Sequence, residues 1–201
     1  ITSMKGKIDV MLCDSTNIHS NSKDLKSEAN LFEPINNIVK SQKGMIIIST
    51  FASNISRLST IHSIAKANNK KLCISGLSLI RMISVAQNSG YLKNCDFIDI
   101  KDAKKNIPRN EIIVLCTGCQ GEEMASLAKI AHNKHRFIKI KEHDTVILSS
   151  KNIPGNEKKI ISLTNKLIEN KVNIFTEKDA DVHISGHPQK NDLKKMYNMV
   201  R

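Results

Sequence analysis

Apolar residues in this chain fall into short β-branched runs separated by longer stretches of helical periodicity. Residues 8–13, 45–50, 72–75, 111–117, 145–150, 172–176 and 182–185 read as strands, because short Ile- and Val-rich runs bounded by Gly, Asn and Ser suit buried sheet positions. Residues 25–41 read as a helix that Gly44 ends. Residues 55–68 follow, with Ile55, Leu58, Ile61, Ile64 and Ala65 on one face and Ser53 or Asn54 as the cap. Further helices are predicted over 79–88 between Gly76 and Gly90, over 122–133, over 156–170 with Asn156 as N-cap, and over 189–200, opened by Pro188. Residues 17–24 are polar loop. Residues 94–110 are ambiguous: 97–100 can be a strand, and 102–109 is a polar connection. Residues 137–140 read as an exposed strand or an extended loop. Strands thus alternate with helices. The expected fold is α/β: a mostly parallel, Rossmann-like sheet with helices on both faces.

Five of the strand-like runs end in small polar exits: Cys13-Asp14-Ser15-Thr16-Asn17, Thr50-Phe51-Ala52-Ser53-Asn54, Cys116-Thr117-Gly118-Cys119-Gln120-Gly121-Glu122, Ser149-Ser150 ahead of Ile153-Pro154-Gly155-Asn156-Glu157, and His183-Ile184-Ser185-Gly186-His187-Pro188. In an open parallel sheet the carboxyl ends of the strands share one edge, and ligands bind there. Asp14, Ser150 and His187 are therefore expected towards one edge. Asp14 can orient an imidazole, bind a metal or accept a ribose hydroxyl, or it can simply cap a turn. His183 and His187 have the i, i+4 spacing of a helical zinc pair, but Gly186 and Pro188 break a helix there. That segment reads better as a phosphate nest, built from the Ser185 hydroxyl, the Gly186 and His187 N–H groups and imidazole charge at a helix start. Gly118-x-x-Gly121 can cradle an anion or make a tight turn; alone it is weak evidence for a dinucleotide. The remaining histidines read as surface residues.

Composition narrows the partners. The 201 residues carry 31 Lys and Arg against 19 Asp and Glu, a net charge of +12. A basic surface attracts polyanions or an anionic membrane face, although a lysine-rich composition throughout explains the same number. The cations of residues 129–141 read as a solvated face or a nucleic-acid rim. Aromatic residues are only 3%, which argues against base-stacking sheet modules and directs any RNA contact mainly to the backbone. No apolar run approaches the roughly 20 residues of a membrane span. The five cysteines are scattered and read as reduced thiols of a cytoplasmic protein. Cys116-x-x-Cys119 has no second pair for zinc and opens no thioredoxin-like helix. The start shows no signal peptide and no initiator Met, which suggests a piece of something longer.

At these residues the chain resembles the ribonuclease J family. Leu12-Cys-Asp14-Ser-Thr-Asn17, Thr50-Phe-Ala-Ser-Asn54, Leu115-Cys-Thr-Gly-Cys-Gln-Gly-Glu122, Ile153-Pro-Gly-Asn-Glu157 and Val182-His-Ile-Ser-Gly-His187 occur there in the same order at similar spacing, and Gly186-His187-Pro188 with the Tyr197 region and Val200-Arg201 is most like the alphaproteobacterial branch. The resemblance implies a cytoplasmic, zinc-dependent enzyme that processes and degrades RNA by 5′-to-3′ exonucleolytic and endonucleolytic cuts. It also implies a metallo-β-lactamase domain with an inserted β-CASP domain. Residues 1–24 would be the edge of the former, 25–188 the β-CASP domain, and 189–201 a returning helix. Asp14 and His187 match the first two β-CASP motifs and are implied to be catalytic, assisting the leaving group. Ser150, His183 and Ser185, with Gly186, match positions implied to hold an RNA phosphate. The two zinc ions would be held by ligands outside this chain, since the His-x-His-x-Asp-His run is absent. The implied partner is RNA with a 5′ monophosphate end, with a homo-oligomer possible for the full enzyme. This chain alone would then be inactive. Leu77 and Cys119 depart from the family's common Arg and Ser. The other reading is a non-catalytic α/β domain that binds a nucleotide or a partner protein.

Overall fold

The computed structural model describes residues 3, 5–19, 27–103 and 107–201. The chain divides into two compact units, Ile1–Lys26 with Ile184–Arg201, and Ser27–His183. Parts of the predicted segments 17–24, 25–41 and 102–109 lie outside the described residues.

The Ser27–His183 unit follows the predicted alternation. A 3-10 turn, Glu28–Leu31, leads into α1 (Phe32–Ser41). Then come β1 (Ile46–Ser49), α2 (Ile55–Ala67), β2 (Lys71–Ser75), α3 (Leu77–Asn88), β3 (Ile98–Asp99), α4 (Ile100–Ala103), β4 (Ile112–Cys116), α5 (Ser126–Ala131), β5 (Thr145–Leu148), α6 (Glu157–Glu169) and β6 (Asn173–Phe175). All six strands are parallel, in the order β3-β2-β4-β1-β5-β6. The expected α/β fold is therefore present. The two outermost strands have only 2 and 3 residues, which limits unpaired edge.

Alternation along the strands builds two cores. Ile47, Cys73, Val114, Cys116, Val146 and Leu148 face one side and pack with Leu127 and Ile130 of α5 and Leu163 and Leu167 of α6. Their neighbours Ile46, Ile48, Ile113, Leu115 and Ile147 are fully buried too. The matching apolar faces there come from α1, α2 and α3, through Ile35, Val39, Leu58, Ile61 and Leu79. Each fully buried Ile or Leu contributes roughly 1.5–3 kcal/mol by leaving water.

Register aligns Ser49 with Cys116 and Leu148, and Ser75 with Cys116, so four strands end at one level. The chain leaves β1 for β2, beyond β4, and leaves β4 for β5, beyond β1. These two connections cross on opposite faces of the sheet, α2 on one and α5 on the other, and exits to opposite faces mark the crevice where parallel sheets take ligands.

Several sequence expectations need correction. Residues 8–13 form no strand: Val10 and Leu12 are 74% and 94% exposed. Asn17 makes an isolated bridge to Gln189. Residues 182–185 and 137–140 are also not strands. Ile138 and Ile140 nevertheless insert into the core that α5 and α6 cover, so that segment is a buried extended one. The helix expected over 122–133 is confined to Ser126–Ala131, because residues 118–122 are spent on a turn closed by Gly121 N–H to Gly118 O. In the other unit, α7 (Lys190–Val200) starts with a capping box between Gln189 and Asp192. Gly6 N–H donates to Val200 O.

Candidate functional site

Asp14 and His187 meet in the first unit although 173 residues separate them. The His187 Nδ1–Asp14 Oδ2 distance is 2.5 Å. A charge-assisted bond of this kind fixes the ring orientation and leaves Nε2 for a substrate. The His187 bond, followed by Thr16 N–H and its hydroxyl, holds the Asp14 carboxyl down at about 2. Both side chains are about half exposed, 42% for Asp14 and 54% for His187. Asp14 also accepts Thr16 N–H at 2.9 Å, so the turn-capping and imidazole-orienting readings hold together. Asn17 Nδ2 donates to His187 O at 3.4 Å and anchors the same corner.

Ser185 and Gly186 lie beside His187, as chain order requires. The nest differs from expectation: His187 N–H donates to Ser185 Oγ at 3.3 Å, so it is already engaged. Gly186 is exposed, and nothing lies within 4 Å of the position its Cβ would take. Its backbone stays open to a ligand.

Ser150 and His183 belong to the second unit. Ser150 follows β5, is 4% exposed, and accepts from Gln120 Nε2 at 3.4 Å. His183 Nδ1 is buried without a hydrogen-bond partner. Burial, and then the Arg57 charge, push His183 down to about 4, against Glu28 and a Ser149 backbone bond. His183 is therefore a neutral imidazole near pH 7.

Two further residues escaped the sequence reading. Arg57, fully buried, donates from Nε and Nη2 to Glu28 Oε2 and Oε1 at 2.7 and 2.8 Å. Its Nη1 reaches Ser149 O at 2.9 Å and Ser149 Oγ at 2.6 Å. Gln120 joins two exits: Nε2 donates to Lys151 O at 2.9 Å, and Oε1 accepts Ile153 N–H at 2.9 Å. The only available signal was indirect, since each stands within or just after a polar exit. The Gly118–Gly121 exit is a packed turn rather than an anion cradle. A Cβ on Gly121, at φ +75°, would lie 2.5 Å from the Lys159 carbonyl carbon, and one on Gly118, at φ +116°, 2.9 Å from Ala125 Cβ.

His135 is a correction: it is 9% exposed and not at the surface. Its Nδ1 accepts Ile138 N–H at 3.1 Å and Nε2 bonds Ser75 Oγ at 2.8 Å, so it closes a turn over the core. Burial pushes Cys116 up to about 12 and raises Cys119, the opposite of a reactive pair. Cys13 is exposed.

Among the described residues, no three His, Cys, Asp or Glu side chains are placed to share a metal ion. Asp14 and His187 are turned towards each other, and two donors do not make a zinc site. The residues present therefore do not fit a resident metal. No helix among them is long and apolar enough to cross a membrane.

The topology defines a doubly wound α/β domain, and the other unit of the chain carries a carboxylate–imidazole pair. Comparison with known proteins gives the family. The sequence profile described as ribonuclease J, beta-CASP domain, matches residues 43–167. Proteins named ribonuclease J are 36% identical over 191 residues in Sinorhizobium meliloti, over 196 in Corynebacterium glutamicum and over 196 in Mycoplasma pneumoniae, covering 95%, 96% and 96% of this chain. The chain spans 34%, 27% and 34% of those relatives. The chain belongs to the ribonuclease J family, and residues 43–167 are its β-CASP domain.

Proposed function

We propose that this chain is the β-CASP portion of a ribonuclease that processes and degrades RNA by 5′-to-3′ exonucleolytic and endonucleolytic hydrolysis in the cytoplasm. The observation that carries this is the Asp14–His187 pair, joined at 2.5 Å across 173 residues of sequence. In this reading Asp14 holds the His187 ring with Nε2 towards the scissile phosphate. As water adds to phosphorus and the P–O3′ bond breaks, the Nε2 proton passes to the leaving 3′ oxygen. The low value of Asp14 keeps it ionised beside the imidazolium. Ser185 and the open Gly186 backbone hold phosphate oxygens, with Ser150 and neutral His183 as further phosphate donors. RNA with a 5′ monophosphate is the substrate. Zinc enters only as a cofactor of the whole protein, with ligands outside this chain, and no step here is routed through it. The chain alone is inactive.

In the intact protein, His187→Ala should lower kcat about 10²–10⁴-fold, the usual contribution of a positioned proton donor, with a smaller change in RNA affinity. Single-turnover cleavage and binding assays measure both. Unchanged cleavage with weakened binding would move His187 from chemistry to phosphate holding.

A further inference from the structure

Arg57 is fully withdrawn from water, yet the proposed chemistry gives it no task. Its fork is fully directed: Glu28 takes Nε and Nη2 in a two-point pairing, at 2.7 and 2.8 Å. Asn54 ties the pair to the start of α2, since its Oδ1 accepts Arg57 N–H at 3.1 Å and its Nδ2 donates to Glu28 Oε1 at 3.3 Å. That leaves Nη1. It donates to Ser149 O and Oγ, at 2.9 and 2.6 Å. Ser149 Oγ in turn donates to Val182 O at 2.7 Å, and Nη1 stands 3.4 Å from that same carbonyl. One guanidinium thus joins the ends of two segments that are 33 residues apart.

Ser149 immediately precedes Ser150, and Val182 immediately precedes His183. We propose that Arg57, oriented by Glu28, is the positioning residue for Ser150 and His183, setting the spacing of the two groups that receive an RNA phosphate. The inference rests on the reading of Ser150 and His183 as phosphate holders.

Chemistry favours this over a role in folding alone. A buried ion pair is often no more stabilising than apolar side chains of the same volume, so stability by itself does not call for Arg at this place. What an apolar side chain cannot do is hold two carbonyl-bearing segments at hydrogen-bond distance from one rigid plane. Lysine cannot either, because its point charge lacks the planar fork that spans Glu28 and Ser149. Arg57 touches no substrate in this scheme and acts only through Ser149 and Val182.

The test uses the intact protein and two single-stranded oligoribonucleotides of one sequence, carrying a 5′ monophosphate or a 5′ hydroxyl. The double variant Glu28→Gln/Arg57→Met removes both buried charges together, so that neither is stranded. It should stay folded and lose about tenfold of its preference for the phosphorylated end, the effect of one misplaced hydrogen bond to a charged group. A structural loss would weaken both oligonucleotides alike. Should the double variant fail to fold, Arg57→Lys decides by the same ratio. A folded variant that keeps the full preference overturns the positioning role. Ser150→Ala is the control for the underlying reading. If it too leaves the preference intact, or the parent protein shows none, the phosphate assignment itself falls, and the task given to Arg57 falls with it.

Discussion

Two acid–base pairs in this molecule are built in opposite ways. Glu28–Arg57 closes around a guanidinium with no exposed surface, which reaches Glu28 and Ser149 of the same unit. Asp14–His187 is as short, yet its two side chains are 42% and 54% exposed. In a low dielectric, removing one partner strands a charge. In water, solvent replaces the lost partner. The comparison separates two uses of the same chemistry: the buried pair fixes backbone, while the exposed pair leaves a ring nitrogen accessible to something that arrives from solution.

The largest effect that can break this comparison is on stability. Arg57→Ala should destabilise the protein by about 3–5 kcal/mol, because Glu28 remains half-buried without its cation. Burial pushes the Glu28 carboxyl up, but the Arg57 hydrogen bonds and charge bring it below its ordinary value. Chemical denaturation of the variant measures the loss. A cost near zero would mean that water already reaches Glu28, and the contrast would collapse.

Next in size is the acid response. His183 stands at about 4 against an ordinary value of 6.5, and burial also lowers His135. The unfolded chain takes up protons first, so folding is favoured fully above about 6.5 and loses stability as pH falls from there towards 4. Asp14 is lowered too, to about 2, and would act only below its ordinary 3.8, but solvent screens this exposed pair and its share of the stability is small. Melting temperature followed from pH 7 to 4 should therefore fall, and His183→Gln should flatten the slope without abolishing it, since His135 remains. A variant with the parent slope would show that His183 is already solvated.

Much of this was legible from the sequence, and for identifiable reasons. Runs such as residues 111–117 and 145–150 are β-branched and apolar on both faces, which only a doubly covered parallel strand explains. Asp14 and His187 do come together, although neither run before them is the strand whose exit was expected to place it. Residues 8–13 misled because their apolar character is the same whether or not a partner strand exists; Leu12, at 94% exposed, pairs with none among the described residues. Arg57 and Gln120 were missed because polarity along the chain suggests solvent, and nothing local reveals that a distant carbonyl will take the place of water. His135 misled for the same reason, with Lys134 and Arg136 on either side.

The smallest effect sharpens the comparison most. Asp14→Asn keeps the shape of the side chain and can still accept Thr16 N–H through its carbonyl, the bond that is 2.9 Å long in the parent. What it removes is the charge beside His187. Because that pair is half exposed, and exposed ion pairs often contribute nothing measurable to stability, thermal melts of the variant and parent near pH 7 should superimpose. The imidazole, however, loses the carboxylate that fixes its ring. Single-turnover RNA cleavage by the intact variant should therefore fall while the melt stays unchanged. A destabilised variant that cleaves at the parent rate would reverse the assignment: Asp14 would then be the structural group, and the exposed pair would differ from the buried one only in its solvent contact.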